Sequence, residues 1–148
     1  MKRIPPAALA LGLAGVLPFL WGAFSQLRPD LVGGLGLNPV WLGSYLSLTY
    51  GTVILSFMSG VLWGFATRAE GAQATAGYAL SVIPALWAFF MVNGDPGAAA
   101  VNLAAGFAGV LVLDAAFVSW RLAPAWWLAL RIPLTVVVLA CLAVPILM

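Results

Sequence analysis

An all-α integral membrane protein, a bundle of about five transmembrane helices, is the fold class this sequence predicts, on three observations. The 148 residues are 64% hydrophobic and only 7% charged, whereas soluble domains average about 25% charged. The apolar residues gather into five runs, over 5–25, 40–66, 73–92, 98–120 and 125–147, each long enough to cross a hydrocarbon core of about 30 Å. The breaks between the runs collect most of the charged residues and many turn-forming glycines and prolines. The length fits a single domain, 1–148.

Several function classes are excluded at once. The net charge of +2 comes from basic residues scattered singly, so there is no basic patch for nucleic acid. There is no histidine and one cysteine, Cys141. That removes the commonest general base, the Ser-His-Asp and Cys-His constellations, and any intrachain disulfide. No cofactor or metal site is expected.

The first run follows Lys2 and Arg3 and is longer than the h-region of a signal peptide, about 7–15 residues. It reads as a retained span, with Pro5 and Pro6 suited to a first turn and Pro18 as a kink. Residues 26–39 form a glycine-rich surface loop without the strand or the GKS/T of a phosphate loop. The second run is long enough to tilt or protrude, with Trp41 and Tyr45 at one end and Trp63 at the other as interfacial anchors. The third carries Pro84 near its middle and ends at Asn93-Gly-Asp-Pro-Gly97, a turn by its chemistry, with Asp95 as a solvated turn carboxylate. The fourth and fifth join through the tight link 121–124 and must be antiparallel neighbours. Five spans put Lys2, Arg3, Arg68 and Arg121 on one side and only Arg28 on the other. The positive-inside rule then makes the N-terminus cytoplasmic and the C-terminus external.

Three groups of residues stand out. In the second run, Thr52, Ser56, Gly60 and Gly64 recur at i+4 and mark a helix-packing face where another backbone could come close. The first half of that run, with Tyr45, Ser47, Thr49 and Tyr50, is the most polar membrane segment. Its hydroxyls could bond back to their own helix, bond to a neighbour or line a polar cavity. Asp114 and Arg131 lie at matched depth on either side of the tight link, which predicts an intramembrane ion pair. The alternatives are an Arg131 that snorkels to the interface beside Trp126 and Trp127 and an Asp114 that titrates in an ion path. Gly12-Leu-Ala-Gly-Val-Leu17 also resembles Gly106-Phe-Ala-Gly-Val-Leu111, and Trp41-Leu42 with Leu48-Thr49 resembles Trp127-Leu128 with Leu134-Thr135. Together these would be an inverted repeat of runs one and two in four and five.

The residues also resemble a known family. Ile4-Pro5, the run from Leu11 to Phe19, Tyr50-Gly51, Ile54-Leu-Ser-Phe57, Trp63-Gly64, Asp114, Pro124 with Trp126, Leu130-Arg131 and Leu134-Thr135 together are similar to the domain of unknown function 3429 family, the transmembrane protein 69-like integral membrane proteins. Where the family's signature reads ILSF-L-G-G-x-H-W-G, this chain has Met58, Ser59 and Leu62 at the Leu, first Gly and His positions. The missing histidine puts any role resting on that side chain in question. The resemblance implies a multi-span protein of a bacterial or mitochondrial inner membrane and no particular activity. With no Arg/Ser-rich transit segment at the N-terminus, the bacterial inner membrane is the expectation.

Three functions fit these observations. The first is a non-catalytic accessory or assembly subunit, docked on a larger membrane complex. The second is a small carrier or channel acting as a homo-oligomer, which predicts a wet cavity beside Ser47, Tyr50 or Thr52. The third is a binder or enzyme for a quinone or other lipid-like ligand, which predicts a pocket with Asp114 or Arg131 facing it and unpaired. The expectation is the first, with the lipid bilayer and a membrane complex or second copy as partners and no enzymatic activity.

Overall fold

The computed structural model describes residues 3–148, so Met1 and Lys2, the latter one of the basic residues that orient the chain, lie outside the described residues. Among the described residues there is no strand, and five segments are long and apolar enough to span a bilayer. The protein is a multi-pass membrane protein.

The first span is a kinked pair, α1 (Pro6–Ala14) and α2 (Leu17–Leu27). Pro18 has no N–H to give and crowds the preceding turn, so the ladder breaks before it, with Val16 N–H bonding Leu13 instead. The chain then crosses the surface as α3 (Pro29–Val32) and two 3-10 turns, Gly33–Leu35 and Pro39–Trp41. Arg28 and Asp30 pair here at 3.0 Å, both exposed. The Arg28 guanidinium holds the Asp30 carboxyl below the usual carboxylate range, and Asp30 in turn raises Arg28.

The second span is α4 (Gly43–Ala66), whose 24 residues make about 36 Å of helix. It starts three residues later than the apolar run because Leu42 is extended and Gly43 takes φ 57°, a left-handed conformation that glycine adopts without strain. Ser25 Oγ accepts the Gly43 N–H at 2.8 Å and fixes the start of α4 against α2.

The third span is again a broken pair, α5 (Gly71–Ser81) and α6 (Ile83–Met91), interrupted at Val82 ahead of Pro84. A helix that restarts inside lipid has N–H groups without partners, and each must be satisfied. Ser59 of α4 supplies one acceptor, its Oγ taking the Ala85 N–H at 2.8 Å. The other end of α6 is tied to the fourth span, α7 (Pro96–Ser119): Asn102 Nδ2 donates to the Met91 carbonyl at 2.9 Å, and Trp87 Nε1 donates to the Asn102 carbonyl at 2.7 Å. Asp95 caps α7 through the Ala98 N–H at 3.0 Å.

The fifth span is α8 (Trp127–Leu147), with Pro133 and Pro145 inside it. The α7–α8 link is a Schellman turn: Arg121 takes φ 60°, and the Leu122 and Ala123 N–H groups both reach the Phe117 carbonyl, at 3.0 and 3.2 Å. So tight a link forces α7 and α8 together along their length.

Helix α4 is the central post, touching α2, α5, α6, α7 and α8. The buried core runs through Phe19, Leu55, Leu103, Phe107, Val110 and Leu142. The two halves of the sequence repeat sit in unlike backbone. Gly12–Leu17 straddles the break between α1 and α2, whereas Gly106–Leu111 lies inside uninterrupted α7.

Candidate functional site

The matched depths of Asp114 and Arg131 become a contact. Arg131 Nε donates to Asp114 Oδ2 at 2.9 Å, and Trp127 Nε1, one turn before Arg131, donates to Oδ1 at 2.8 Å. Asp114 is completely buried and the Arg131 side chain is 8% exposed. The carboxylate is therefore bonded on both oxygens, which is how an ion is carried in hydrocarbon. The snorkelling alternative does not hold, because the guanidinium turns inward to Asp114 rather than out to the interface.

The proposed packing face is corrected by the structure. Gly60 and Gly64 are exposed, and a Cβ added at either would meet nothing within 4 Å. Ser56 is exposed, and Thr52 and Ser56 bond back to the carbonyls of Leu48 and Thr52 at 2.8 and 2.9 Å. The stripe that α4 buries is instead Ser47, Gly51, Leu55, Met58, Leu62 and Ala66. Close approach happens at Gly51, where a Cβ would collide with Leu103, and at Gly106, where it would lie 2.6 Å from Leu55 and 2.9 Å from Trp87. Small residues at i+4 mark a close face only if a bulky neighbour needs the room, and in α4 the neighbours sit a quarter-turn away, on the Gly51 side.

The proposed polar cavity is corrected as well. Tyr45 is 62% exposed and Thr49 is exposed, both on the outer surface. Ser47 is buried against the backbone of Gly22. Tyr50 donates its hydroxyl to the Gly15 carbonyl at 2.9 Å, where the kink of the first span interrupts the helix ladder. The four residues spread around the helix and serve backbone and packing instead of lining one space.

The space that does exist was not legible in the sequence. A cleft of about 560 Å³ lies between the first span, α4 and α8, open on one side. Its walls are almost wholly apolar, among them Gly12, Phe19, Ile54, Met58 and Val138, with Trp126 at one end. Two polar residues without full partners also line it. Arg131 Nη2 and Thr135 Oγ1 are both buried and have no hydrogen-bond partner. Thr135 follows Arg131 by one turn of α8, so both stand on one face. The only signal in the sequence was the pair of small residues Gly12 and Gly15 in the first run, of which Gly12 lies against Leu130 and Leu134 of the charge-bearing, proline-containing α8 and Gly15 toward Tyr50 of α4. A second, smaller crevice at the opposite end of the bundle is lined by Gln26, Ser44, Asp95 and the C-terminal residues. Among the described residues, no three of the Asp, Glu or Cys side chains gather as metal ligands would. Cys141 is a buried free thiol.

Comparison with known proteins agrees with the architecture. The family model described as "Protein of unknown function (DUF3429)" matches residues 4–147. Over 142 residues the chain is 34% identical to transmembrane protein 69 of Xenopus tropicalis, covering 93% of this chain and 52% of that protein. The chain thus spans about half the length of that curated relative. No solved structure matches. With the match running almost end to end over all five spans, this chain belongs to the DUF3429 family of membrane proteins.

Proposed function

We propose that this protein is a non-catalytic membrane protein that holds a lipophilic small molecule in the cleft between its first span, α4 and α8. One observation carries the reading: a cleft of about 560 Å³, within the roughly 300–1,000 Å³ typical of ligand sites, apolar throughout except where Arg131 and Thr135 line it. Of the three functions the sequence allows, the carrier needs a wet cavity beside Ser47, Tyr50 or Thr52, but Tyr50 and Thr52 bond the Gly15 and Leu48 carbonyls and Ser47 is packed against Gly22. The ligand binder as read from the sequence needs Asp114 or Arg131 unpaired, whereas Arg131 Nε is bound to Asp114, so the reading rests on the cleft itself. The accessory subunit needs an apolar face without its own partner. Every span offers one, and lipid itself covers such faces, so that feature does not favour docking over a free-standing bundle.

The protein belongs, on this reading, in the inner membrane of a bacterium. Arg3, Arg68 and Arg121 lie toward the cytoplasm, and Arg28, neutralised by Asp30, lies on the outer side. The cleft then opens into the cytoplasmic half of the bilayer, below Trp126.

The test is native mass spectrometry of the protein released from nanodiscs made with its own membrane lipids. A bound lipophile that survives release from wild type and is lost from Ala8→Phe, which puts a ring into the cleft at a lining position, supports the reading. Protein that flies bare overturns it, and a large protein partner in place of the lipophile overturns it in favour of the accessory subunit.

A further inference from the structure

We infer that the occupant of the cleft is a bilayer lipid with an anionic head group. One acyl chain lies in the cleft, and the head stays outside it, at the membrane surface, among Arg3, Arg68 and Arg121. The inference rests on the ligand-binding reading above and adds the class of ligand.

The cleft has the shape of a chain site. Its open side is lateral: Leu11 and Phe57 both line it and are 74% and 65% exposed within their spans, where the surroundings are lipid tails. From Trp126 to Val138 it follows α8 for 12 residues, about 18 Å of helix. Half of a hydrocarbon core of about 30 Å is about 15 Å, so the cleft runs the depth of one leaflet. Inside it a head group finds nothing to bind. The Arg131 guanidinium is turned to Asp114, and its unpartnered Nη2 and the Thr135 Oγ1 are themselves closed off from the surface. A phosphate there would be an uncompensated ion in hydrocarbon, whereas a chain only exchanges lipid contacts for wall contacts.

A charged head must therefore sit at an end, and the charges decide which. The inner end, among Phe19, Phe107 and Val138, lies deep in the spans and is apolar. The outer end is rimmed by arginines. Arg3 precedes α1 by a few residues, Arg68 follows α4 and Arg121 lies in the α7–α8 link, within three to five residues of Ala8, Phe65 and Pro124 of the cleft wall. Arg68 and Arg121 flank one apolar cluster, in which their neighbours Ala69 and Leu122 pack with Phe65 and Trp127. All three arginines are exposed, and the ion pairs among the described residues, Arg28–Asp30 and Arg131–Asp114, include none of them. Apart from the neutral Asp114–Arg131 pair, Glu70 is the one acid at that end among the described residues. Three arginines against one glutamate leave two positive charges around the mouth. Each basic charge near the membrane surface favours an anionic lipid by about fivefold, so two favour it by about twentyfold.

The experiment measures quenching of tryptophan fluorescence, since Trp126 and Trp127 line the cleft. The protein is placed in phosphatidylcholine nanodiscs with a rising fraction of a chain-brominated lipid, phosphatidylglycerol in one series and phosphatidylcholine in the other. The cleft component is the quenching that Ala8→Phe removes. Phosphatidylglycerol is expected to half-fill the cleft at about a twentyfold lower fraction than phosphatidylcholine. The gap should narrow as salt rises from about 0.05 to about 0.5 M, because exposed charges are screened. Arg68→Gln/Arg121→Gln leaves Arg3 balanced by Glu70 and should bring the two lipids within about twofold of each other. Its phosphatidylcholine component should be unchanged, which shows the cleft of that variant intact. Arg28→Gln, at the opposite end of the bundle, should keep the full preference. Equal filling by both lipids in wild type, or a preference that survives the loss of both arginines, overturns the head-group assignment and leaves the cleft as a chain site. If Ala8→Phe removes no quenching for either lipid, a bilayer lipid is not the occupant and the inference fails. The ligand-binding reading fails with it only where native mass spectrometry also finds the protein bare.

Discussion

Replacing Arg131 by leucine isolates what the ion pair does for the fold. The change leaves the Asp114 carboxylate at 0% exposure with only Trp127 Nε1, at 2.8 Å, still bonded to it. Removing one partner of a buried pair costs about 3–5 kcal/mol, because the remaining charge is uncompensated. Adding Asp114→Leu removes that charge. The double variant then loses no ion to hydrocarbon and leaves only Trp127 Nε1 without an acceptor, about 1–3 kcal/mol. The expected order of stability is wild type, then Asp114→Leu/Arg131→Leu, then Arg131→Leu, with the double variant recovering about 2 kcal/mol of the single loss. Reversible unfolding in mixed micelles, with SDS as denaturant and far-ultraviolet circular dichroism as readout, measures the three midpoints. A double variant that unfolds at or below the midpoint of Arg131→Leu would refute the reasoning, since the cost would then lie in lost packing and not in an orphaned charge.

Three further outcomes are expected. Gly106→Ala places its Cβ 2.6 Å from Leu55 and 2.9 Å from Trp87 and should destabilise by about 1–3 kcal/mol, as overpacking does. Gly60→Ala and Gly64→Ala, where nothing lies within 4 Å, should be neutral or stabilising by about 0.5–1 kcal/mol through helix propensity; equal losses at all three positions in the same unfolding assay would contradict the packing described. Ser59→Ala strips the Ala85 N–H of its acceptor where α6 restarts and should cost about 1–3 kcal/mol. Its structural mark is faster amide exchange confined to the first turn of α6, and unchanged exchange there would refute it. The Asp30 carboxyl, depressed by Arg28, keeps its pairing at neutral pH and loses it as the pH falls through the lowered value, so it should titrate below the ordinary carboxylate range in an NMR titration. Arg28→Gln should return it there; a midpoint that does not move would refute the pairing in solution.

How much the sequence by itself determined is clearest in the helices. Their number and approximate limits follow from the apolar runs, because a chain in lipid must satisfy every backbone group internally and each run can do so only as a helix. Pro18 announced the break in the first span, and the four-residue link at 121–124 announced the α7–α8 hairpin; the break before Pro84 was not read from the sequence, since Pro133 and Pro145 sit inside α8 without one. The Asp114–Arg131 contact was readable too, since two ions at equal depth beside a tight hairpin have few other places to go.

What only the tertiary structure decided is which side of each helix faces inward. A soluble helix writes its buried face in polar contrast, but a membrane helix is apolar on both sides and carries no such contrast. In α4 the stripe through Thr52 and Gly64 and the stripe through Gly51 and Leu62 are equally plausible interfaces on paper. The neighbours Leu103 on α7 and Leu55 against Gly106 choose between them, and they are brought there by other parts of the chain. The cleft is of the same kind. It exists because α1, the outer half of the kinked first span, leans on α8 only through a few residues, whereas α2 packs closely on it. A vacancy is a property of how surfaces fail to meet, and no run of residues along one chain records it.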